Sequence, residues 1–285
     1  MSLVWFNGAL VEGPIPVDPA DRGLTLGDGL FETIAIFNGK PVYLEAHLDR
    51  LDSGAREIGI RTSRAAVERG ITELLRMSSA DHAILRVTVT RGASARGLSA
   101  ESDRPASLIT LAPWQSGTVY TPARLATGSI RRNESSPASR LKSLSYIDNI
   151  LAAREASRAG ADDALLLNMQ GRVACSTIAN VFLIAGESLV TPPLSEGALP
   201  GITRARVLAL ARAAGLVADE RPIAPADLFT SEAVLLTNSI RLIRPVIAID
   251  GQTLPKPGLD RIRSIFDLLM ADITGSIGAL DPVTL

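Results

Sequence analysis

The chain is poor in the residues that usually announce chemistry by themselves. Its 285 residues include one cysteine, Cys175, and two histidines, His47 and His82. A single cysteine excludes an intramolecular disulfide. The histidines lie far from it in sequence, and no C-x-x-C or H-x-x-x-H spacing occurs, which excludes a His/Cys metal centre. No apolar run approaches the roughly 18 residues of a membrane span. Met1 to Gly13 has no basic start followed by an apolar stretch, so no signal peptide is expected. The formal net charge of −1 gives no reason to invoke nucleic acid or a membrane surface. Arg131-Arg132 is the only adjacent arginine pair and reads as a solvated loop. A soluble, reduced, cytoplasmic protein is the expectation.

Lysine is also scarce, with three among 29 basic residues. Lys40, in Asn38-Gly39-Lys40-Pro41, and Lys256, in Pro255-Lys256-Pro257-Gly258, fall in turns. Lys142 stands in Arg140-Leu141-Lys142-Ser143-Leu144-Ser145-Tyr146, just before an amphipathic helix. An amine differs from a guanidinium in one chemical respect: it can become neutral and nucleophilic and form an imine with a carbonyl. A surface lysine at a helix entrance is the alternative that the residue alone would favour.

With 46% apolar content the chain can bury one large or two modest cores. Asn7-Gly8 and Asn38-Gly39 predict hairpins, the second fed by a strand over Leu30–Phe37. Apolar residues at three and four predict helices over Leu44–Ile58 and Ser63–Met77. Ala83–Thr90 and Ser107–Ala112 read as paired strands. Turn residues then crowd Pro113–Pro122. They divide a small α+β domain over 1–115 from a larger mixed α/β domain over 123–285, joined by a linker over 116–122. In the second domain, helices are expected over Tyr146–Ala159, Thr203–Ala214 and Arg261–Asp272, and strands over Ala164–Asn168, Val181–Ile184 and Ala233–Thr237.

Four further segments carry polar chemistry. Pro200-Gly201-Ile202-Thr203-Arg204 opens a helix whose first amides make an anion site, although Thr203 also reads as a plain N-cap. Thr237-Asn238-Ser239 ends a strand with three polar side chains, suited to phosphate or to a turn. The run Asp21 to Thr33 holds three glycines in seven residues, which implies tight turns or close approach to another group; its spacing fits neither G-x-G-x-x-G nor a P-loop, and no helix clearly follows it. Arg50, in His47-Leu48-Asp49-Arg50-Leu51, reads by itself as a solvated partner of Asp49 or Glu45.

Taken in order, five motifs resemble the class IV aminotransferase family: D-R-G-x-x-x-G-D-G-x-F-E from Asp21, H-L-D-R-L from His47, L-K-S-L-S-Y-x-x-N from Leu141, P-G-I-T-R from Pro200 and T-N-S-x-x-x-x-R-P-V from Thr237. The resemblance covers the chain from Asp21 to about Val246. It implies fold-type-IV architecture, a small N-terminal α+β domain with a larger, barrel-like mixed α/β domain, and the cofactor pyridoxal 5′-phosphate (PLP). It casts Lys142 as the Schiff-base lysine and acid/base, and Arg50, Ile202, Thr203, Asn238 and Ser239 as phosphate contacts. Phe31 and Thr33 match pocket positions, Arg96 matches a substrate-carboxylate arginine, and Asn180 is read as structural. Cys175 occupies the position where the family has a glutamate paired with the pyridine nitrogen, a role a thiol fills poorly. A homodimer is also implied.

The substrate is divided. Ala35 stands where branched-chain enzymes carry arginine. Arg96-Gly97-Leu98 stands where D-amino-acid enzymes carry R-x-H. Arg91 to Ser99 and Asn238 match the 4-amino-4-deoxychorismate lyases. Amino transfer between a small amino acid and a 2-oxo acid leads. The lyase, making 4-aminobenzoate and pyruvate, follows, and a non-catalytic binding protein on the same fold, prompted by Cys175, is the third reading.

Overall fold

The computed structural model describes residues 3–115, 117–254 and 258–278; Lys256 and its flanking prolines lie outside them. The chain divides into two compact units, Met1–Trp114 with Leu141–Ser145, and Gln115–Arg140 with Tyr146–Leu285.

The first unit contains β1 (Leu3–Phe6), β2 (Ala9–Glu12), α1 (Arg22–Leu26), β3 (Gly29–Phe37), β4 (Lys40–Pro41), α2 (Leu44–Glu57), α3 (Arg64–Met77), β5 (Ala83–Thr90) and β6 (Ala106–Pro113). The strands form an antiparallel sheet in the order β2-β1-β6-β5-β3-β4. Asn7 and Asn38 adopt positive φ, each followed by a positive-φ glycine, the backbone a two-residue hairpin requires. Alternation along β3 and β5 places Leu30, Ile34, Ile36, Leu85, Val87 and Val89 in one core, which Leu48, Leu51 and Ala55 of α2 and Val67, Ile71 and Leu74 of α3 complete. Each of these larger side chains contributes roughly 1.5–3 kcal/mol by leaving water.

Two features depart from the sequence expectation. The glycine-rich run contains a short helix, α1. Asp21 caps it by accepting from Gly23 N at 2.7 Å and Leu24 N at 3.3 Å, and Gly27 closes it at φ 68°. Five residues are too few for apolar periodicity to register. Secondly, the chain returns to the first sheet after leaving it. Phe31 N donates to Lys142 O at 2.9 Å, Leu144 N donates to Gly29 O at 2.9 Å, and Leu30 and Ser143 bridge. Leu141–Ser145 thereby lies along the start of β3, a return that one linear boundary does not express.

The second unit contains β7 (Ala123–Thr127), α4 (Ile147–Arg158), β8 (Asp163–Leu167), β9 (Val173–Ser176), β10 (Asn180–Ala185), β11 (Ser188–Thr191), α5 (Ile202–Leu210), β12 (Val217–Glu220), α6 (Pro225–Thr230), β13 (Ala233–Asn238), β14 (Leu242–Ile249), β15 (Gln252–Thr253) and α7 (Leu259–Ile277). Its sheet runs β12-β11-β10-β13-β14-β7-β8-β9, with β15 on β14, and it curls so that β9 meets β10. Leu165, Leu167, Val181, Leu183, Val234 and Leu236 share one core. Ala152 and Ala156 of α4 pack with Leu166 and Cys175 in another. Arg132 corrects the expectation of a solvated loop: it donates from Nη2 to Ser139 O at 2.7 Å, and its Nε is buried. Among the described residues, no helix is long and apolar enough to cross a membrane.

Candidate active site

In the first unit, Lys142 is held by backbone pairing to β3, and its Nζ lies 4.2 Å from the centroid of the Phe31 ring. The guanidinium of Arg86 lies 3.9 Å from the same centroid. Burial lowers the Lys142 pKa to about 8; the Glu32 carboxylate opposes the fall, while Arg50 and Arg86 add to it. The amine therefore has a neutral fraction of about a tenth at pH 7, against roughly one part in three thousand for an ordinary lysine. Phe31 is buried, and Thr33, two residues further along the same face of β3, is half-buried.

Glu32 is fully buried in the row of β3 that otherwise holds Leu30, Ile34 and Ile36. Its carboxylate accepts from Arg50 Nε at 2.7 Å and Nη2 at 2.6 Å, a bidentate pair. It also lies 2.7 Å from His47 Nδ1. Burial alone would raise the Glu32 pKa, but Arg50 and His47 hold it down to about 2. Burial lowers the His47 pKa, partly opposed by Glu32, so the ring is neutral near pH 7 and Nδ1 carries the donated proton. Arg50 thus departs from the expected surface pairing. Asp49 and Glu45 instead bind Arg64, both at 2.6 Å. Sequence reading missed Glu32, His47 and Arg86. An acid in an apolar alternating row was the available signal for Glu32.

In the second unit, α5 starts at Gly201 without a side-chain cap, so Thr203 is not the N-cap but a buried residue inside the first turn, next to Ile202. A Cβ on Gly201 would lie 2.0 Å from Asn180 Oδ1, while Asn180 Nδ2 donates to Leu199 O at 2.9 Å. Asn180 therefore braces the helix entrance. Gly201→Ala is expected to cost about 1–3 kcal/mol through overpacking, measured by denaturant unfolding. At the end of β13, Thr237 Oγ1 is buried with no hydrogen-bond partner among the described residues. Asn238 Oδ1 accepts from Ile240 N at 3.0 Å and Arg241 N at 2.7 Å, which organises the turn that starts at Ser239. The side-chain carbonyl of Asn238 is thus engaged in the turn.

Cys175 lies on β9 opposite Leu166 and is buried. Burial pushes its thiol pKa up to about 11, against the attraction of the Arg132 charge, so it is a neutral thiol at pH 7. The buried acids of this unit are engaged elsewhere. Asp163 accepts from Ala164 N at 2.8 Å and from the Thr177 hydroxyl. Glu196 accepts from Asn168 Nδ2 at 2.7 Å and from Arg172. Arg96 is exposed, on the segment that joins β5 to β6 in the first unit, as are Gly97, Leu98 and Ser99 after it. Among the described residues there is no group of three or more His, Cys, Asp or Glu side chains able to hold a metal.

In the first unit, a buried amine with a lowered pKa suits a carbonyl-bearing group; in the second, an uncapped helix start shaped around a glycine and an orphaned buried hydroxyl suit an anionic one. These arrangements do not fit protonation of a ring nitrogen by residue 175.

Comparison with known proteins agrees. The model of the family "Amino-transferase class IV" matches residues 29–249. A Methanocaldococcus jannaschii protein, provisionally named a branched-chain-amino-acid aminotransferase, is 33% identical over 88% of this chain and 89% of its own. D-alanine aminotransferase of Bacillus licheniformis is 31% identical over 88% of this chain and 89% of its own. Aminodeoxychorismate lyase of Bacillus subtilis is 29% identical over 87% of both. Among solved structures, 4-amino-4-deoxychorismate lyase from Pseudomonas aeruginosa superposes with a TM-score of 0.81 at 30% identity, covering 95% of this chain and 99% of its own. A hypothetical aminotransferase from Mycobacterium tuberculosis, in its PLP-bound form, gives 0.84 at 25% identity, covering 97% of this chain and 100% of its own. The chain belongs to the class IV aminotransferase family and is a fold-type-IV enzyme dependent on pyridoxal 5′-phosphate.

Proposed function

We propose that this enzyme transfers an amino group between a small amino acid and a 2-oxo acid, with Lys142 as covalent anchor and proton carrier. The observation that carries the reading is the Lys142 amine, buried beside Phe31 and fixed by backbone pairing to β3. When bound, the cofactor supplies the electron-withdrawing ring that lowers the barrier to proton loss at the substrate Cα. The protein supplies the rest. Lys142, as a neutral amine, would move the Cα proton as general base. In the first unit Arg50, oriented by Glu32, would be a phosphate contact; in the second, that role would fall to Ile202, Thr203 and Ser239, and to Asn238 through groups outside its engaged carbonyl. Phe31 and Thr33 line the substrate side, and Arg96 takes the carboxylate. Cys175 occupies the glutamate position without its charge, so proton loss is slower than with a carboxylate there. We further propose a cytoplasmic homodimer, for which size-exclusion mass is the check.

The test is exchange of label between pyruvate and alanine by the cofactor-loaded enzyme, with D- and L-alanine as separate arms. Label in alanine supports amino transfer. Release of pyruvate from 4-amino-4-deoxychorismate with no label in alanine supports the lyase reading, which Arg91–Ser99 and Asn238 favour. A protein that binds PLP but reacts with no amine in a D/L panel supports the non-catalytic reading.

A pH dependence follows from the Lys142 surroundings. Its pKa is lowered to about 8, so neutral amine accumulates as pH rises through that value. Covalent capture of PLP by cofactor-free protein is expected to quicken about tenfold per pH unit below 8 and level off above it. Stopped-flow absorbance reads this directly; continued acceleration to pH 10 would refute it.

A further inference from the structure

The first part of the glycine-rich motif, Asp21 to Gly29, has no part in the proposed chemistry, yet it contains a deeply buried cation. Arg22 is 6% exposed. Its Nε donates to Asp28 Oδ2 at 2.7 Å, its Nη1 to Gly97 O at 2.7 Å and its Nη2 to Leu98 O at 3.0 Å. One planar guanidinium therefore ties two consecutive carbonyls immediately beyond Arg96. The same carboxylate of Asp28 holds Arg91, which donates to it from Nε at 2.8 Å and from Nη2 at 3.2 Å, and to Ile58 O at 2.6 Å and Gly59 O at 3.0 Å. Arg22 N donates to Gly92 O at 3.0 Å, and Asp21 bridges Ala93. Gly92 has φ +83°, and a Cβ there would lie 1.9 Å from Arg104 O, so the two ends of the β5–β6 segment are in contact as well. Arg96 sits on this segment with the anchored residues directly after it.

We infer that Arg22 is a positioning residue for substrate recognition: by tying the Gly97 and Leu98 carbonyls to Asp28, it fixes where the Arg96 guanidinium stands. Fixing a loop arginine in advance lowers the ordering cost of engaging a carboxylate. An ammonium at position 22 keeps the charge for Asp28 but lacks the fork needed to serve Asp28 and two carbonyls in one plane. The inference rests on the reading of Arg96 as the carboxylate contact.

The experiment compares wild type, Arg22→Lys and Arg96→Ala, all cofactor-loaded, with alanine and with alaninamide, which lacks the carboxylate charge. Arg22→Lys is expected to raise KM for alanine about tenfold with kcat changed less than about twofold, and to leave the alaninamide response and the cofactor absorbance unchanged. The amides of 97–100 are expected to exchange faster with deuterium. An unmoved KM in Arg22→Lys where Arg96→Ala raises it, or an equal shift with alaninamide, overturns the inference. If Arg96→Ala leaves KM unmoved, the reading of Arg96 falls separately, and unchanged exchange at 97–100 then overturns the tether. Should Arg22→Lys fail to fold, Asp28→Asn, which removes the charge that orients Arg22, is judged by the same outcomes.

Discussion

Lys142→Ala is expected to lower turnover by at least about 10²–10⁴-fold, the range associated with loss of a positioned acid/base, and to abolish covalent cofactor absorbance. The size of the effect follows from the position. Phe31 and the β3 pairing hold the amine in place, and no other lysine lies near it among the described residues: Lys40 is exposed in the β3–β4 hairpin. Lys142→Arg is expected to be equally inactive, because a guanidinium cannot become neutral near pH 7. Stability should not follow activity. The pKa of Lys142 is lowered on folding to about 8, so its charged form opposes folding at pH values below 8, and that penalty is relieved as pH rises from 8 towards the ordinary lysine value. Removing the amine at pH 7 is therefore expected to leave the unfolding midpoint unchanged or slightly raised. A variant that loses activity and fold together would point to a structural lysine. Partial rescue of Lys142→Ala by added methylamine would identify the missing function as the amine itself.

Glu32→Gln is expected to have the largest effect on the fold, a loss of about 3–5 kcal/mol, because it removes the carboxylate from a buried pair with the Arg50 charge. Glutamine keeps the volume but donates where His47 and Arg50 also donate. The pH dependence gives the sign. The folded pKa is held down to about 2 from the ordinary value of 4.5. The stabilisation by Glu32 is thus fully present above about 4.5 and is lost as pH falls towards 2. Wild type and Glu32→Gln should differ most near neutrality and converge over that window in chemical unfolding. A second consequence concerns Lys142. Glu32 is the group that opposes the lowering of its pKa, so in Glu32→Gln the pH at which PLP capture levels off should move down. An upward move would contradict the electrostatic assignment.

The helices α2 and α3, the two Asn-Gly hairpins and the strand pair β5–β6 are legible in the sequence because each rests on a local signal: a stripe, a turn dipeptide or an alternation. Lys142 is legible through its scarcity and its motif. What cannot be read depends on distant residues. Arg50 lies on the same helix as Asp49 and Glu45, but neighbours one and five apart do not face each other on a helix. Its partner comes from a strand 18 residues earlier in the chain. Arg132 reads as solvated because its acceptor, the Ser139 carbonyl, belongs to a loop whose path no pattern encodes. The helix α1 is hidden by its own glycines: Gly27 closes its C-terminal end, and Gly23 admits a neighbouring side chain, since a Cβ there would meet Thr90 Cγ2 at 2.2 Å. Cys175 is visible as a departure, but its burial as a neutral thiol depends on α4 packing over β8 and β9.

The central claim is that Lys142 is the residue that binds pyridoxal phosphate covalently. Borohydride reduction of the cofactor-loaded protein, followed by proteolysis and mass mapping, tests it most directly. The phosphopyridoxyl mass is expected on the peptide containing Lys142 and on no other; the label on Lys40, on Lys256 or on no peptide would contradict the account.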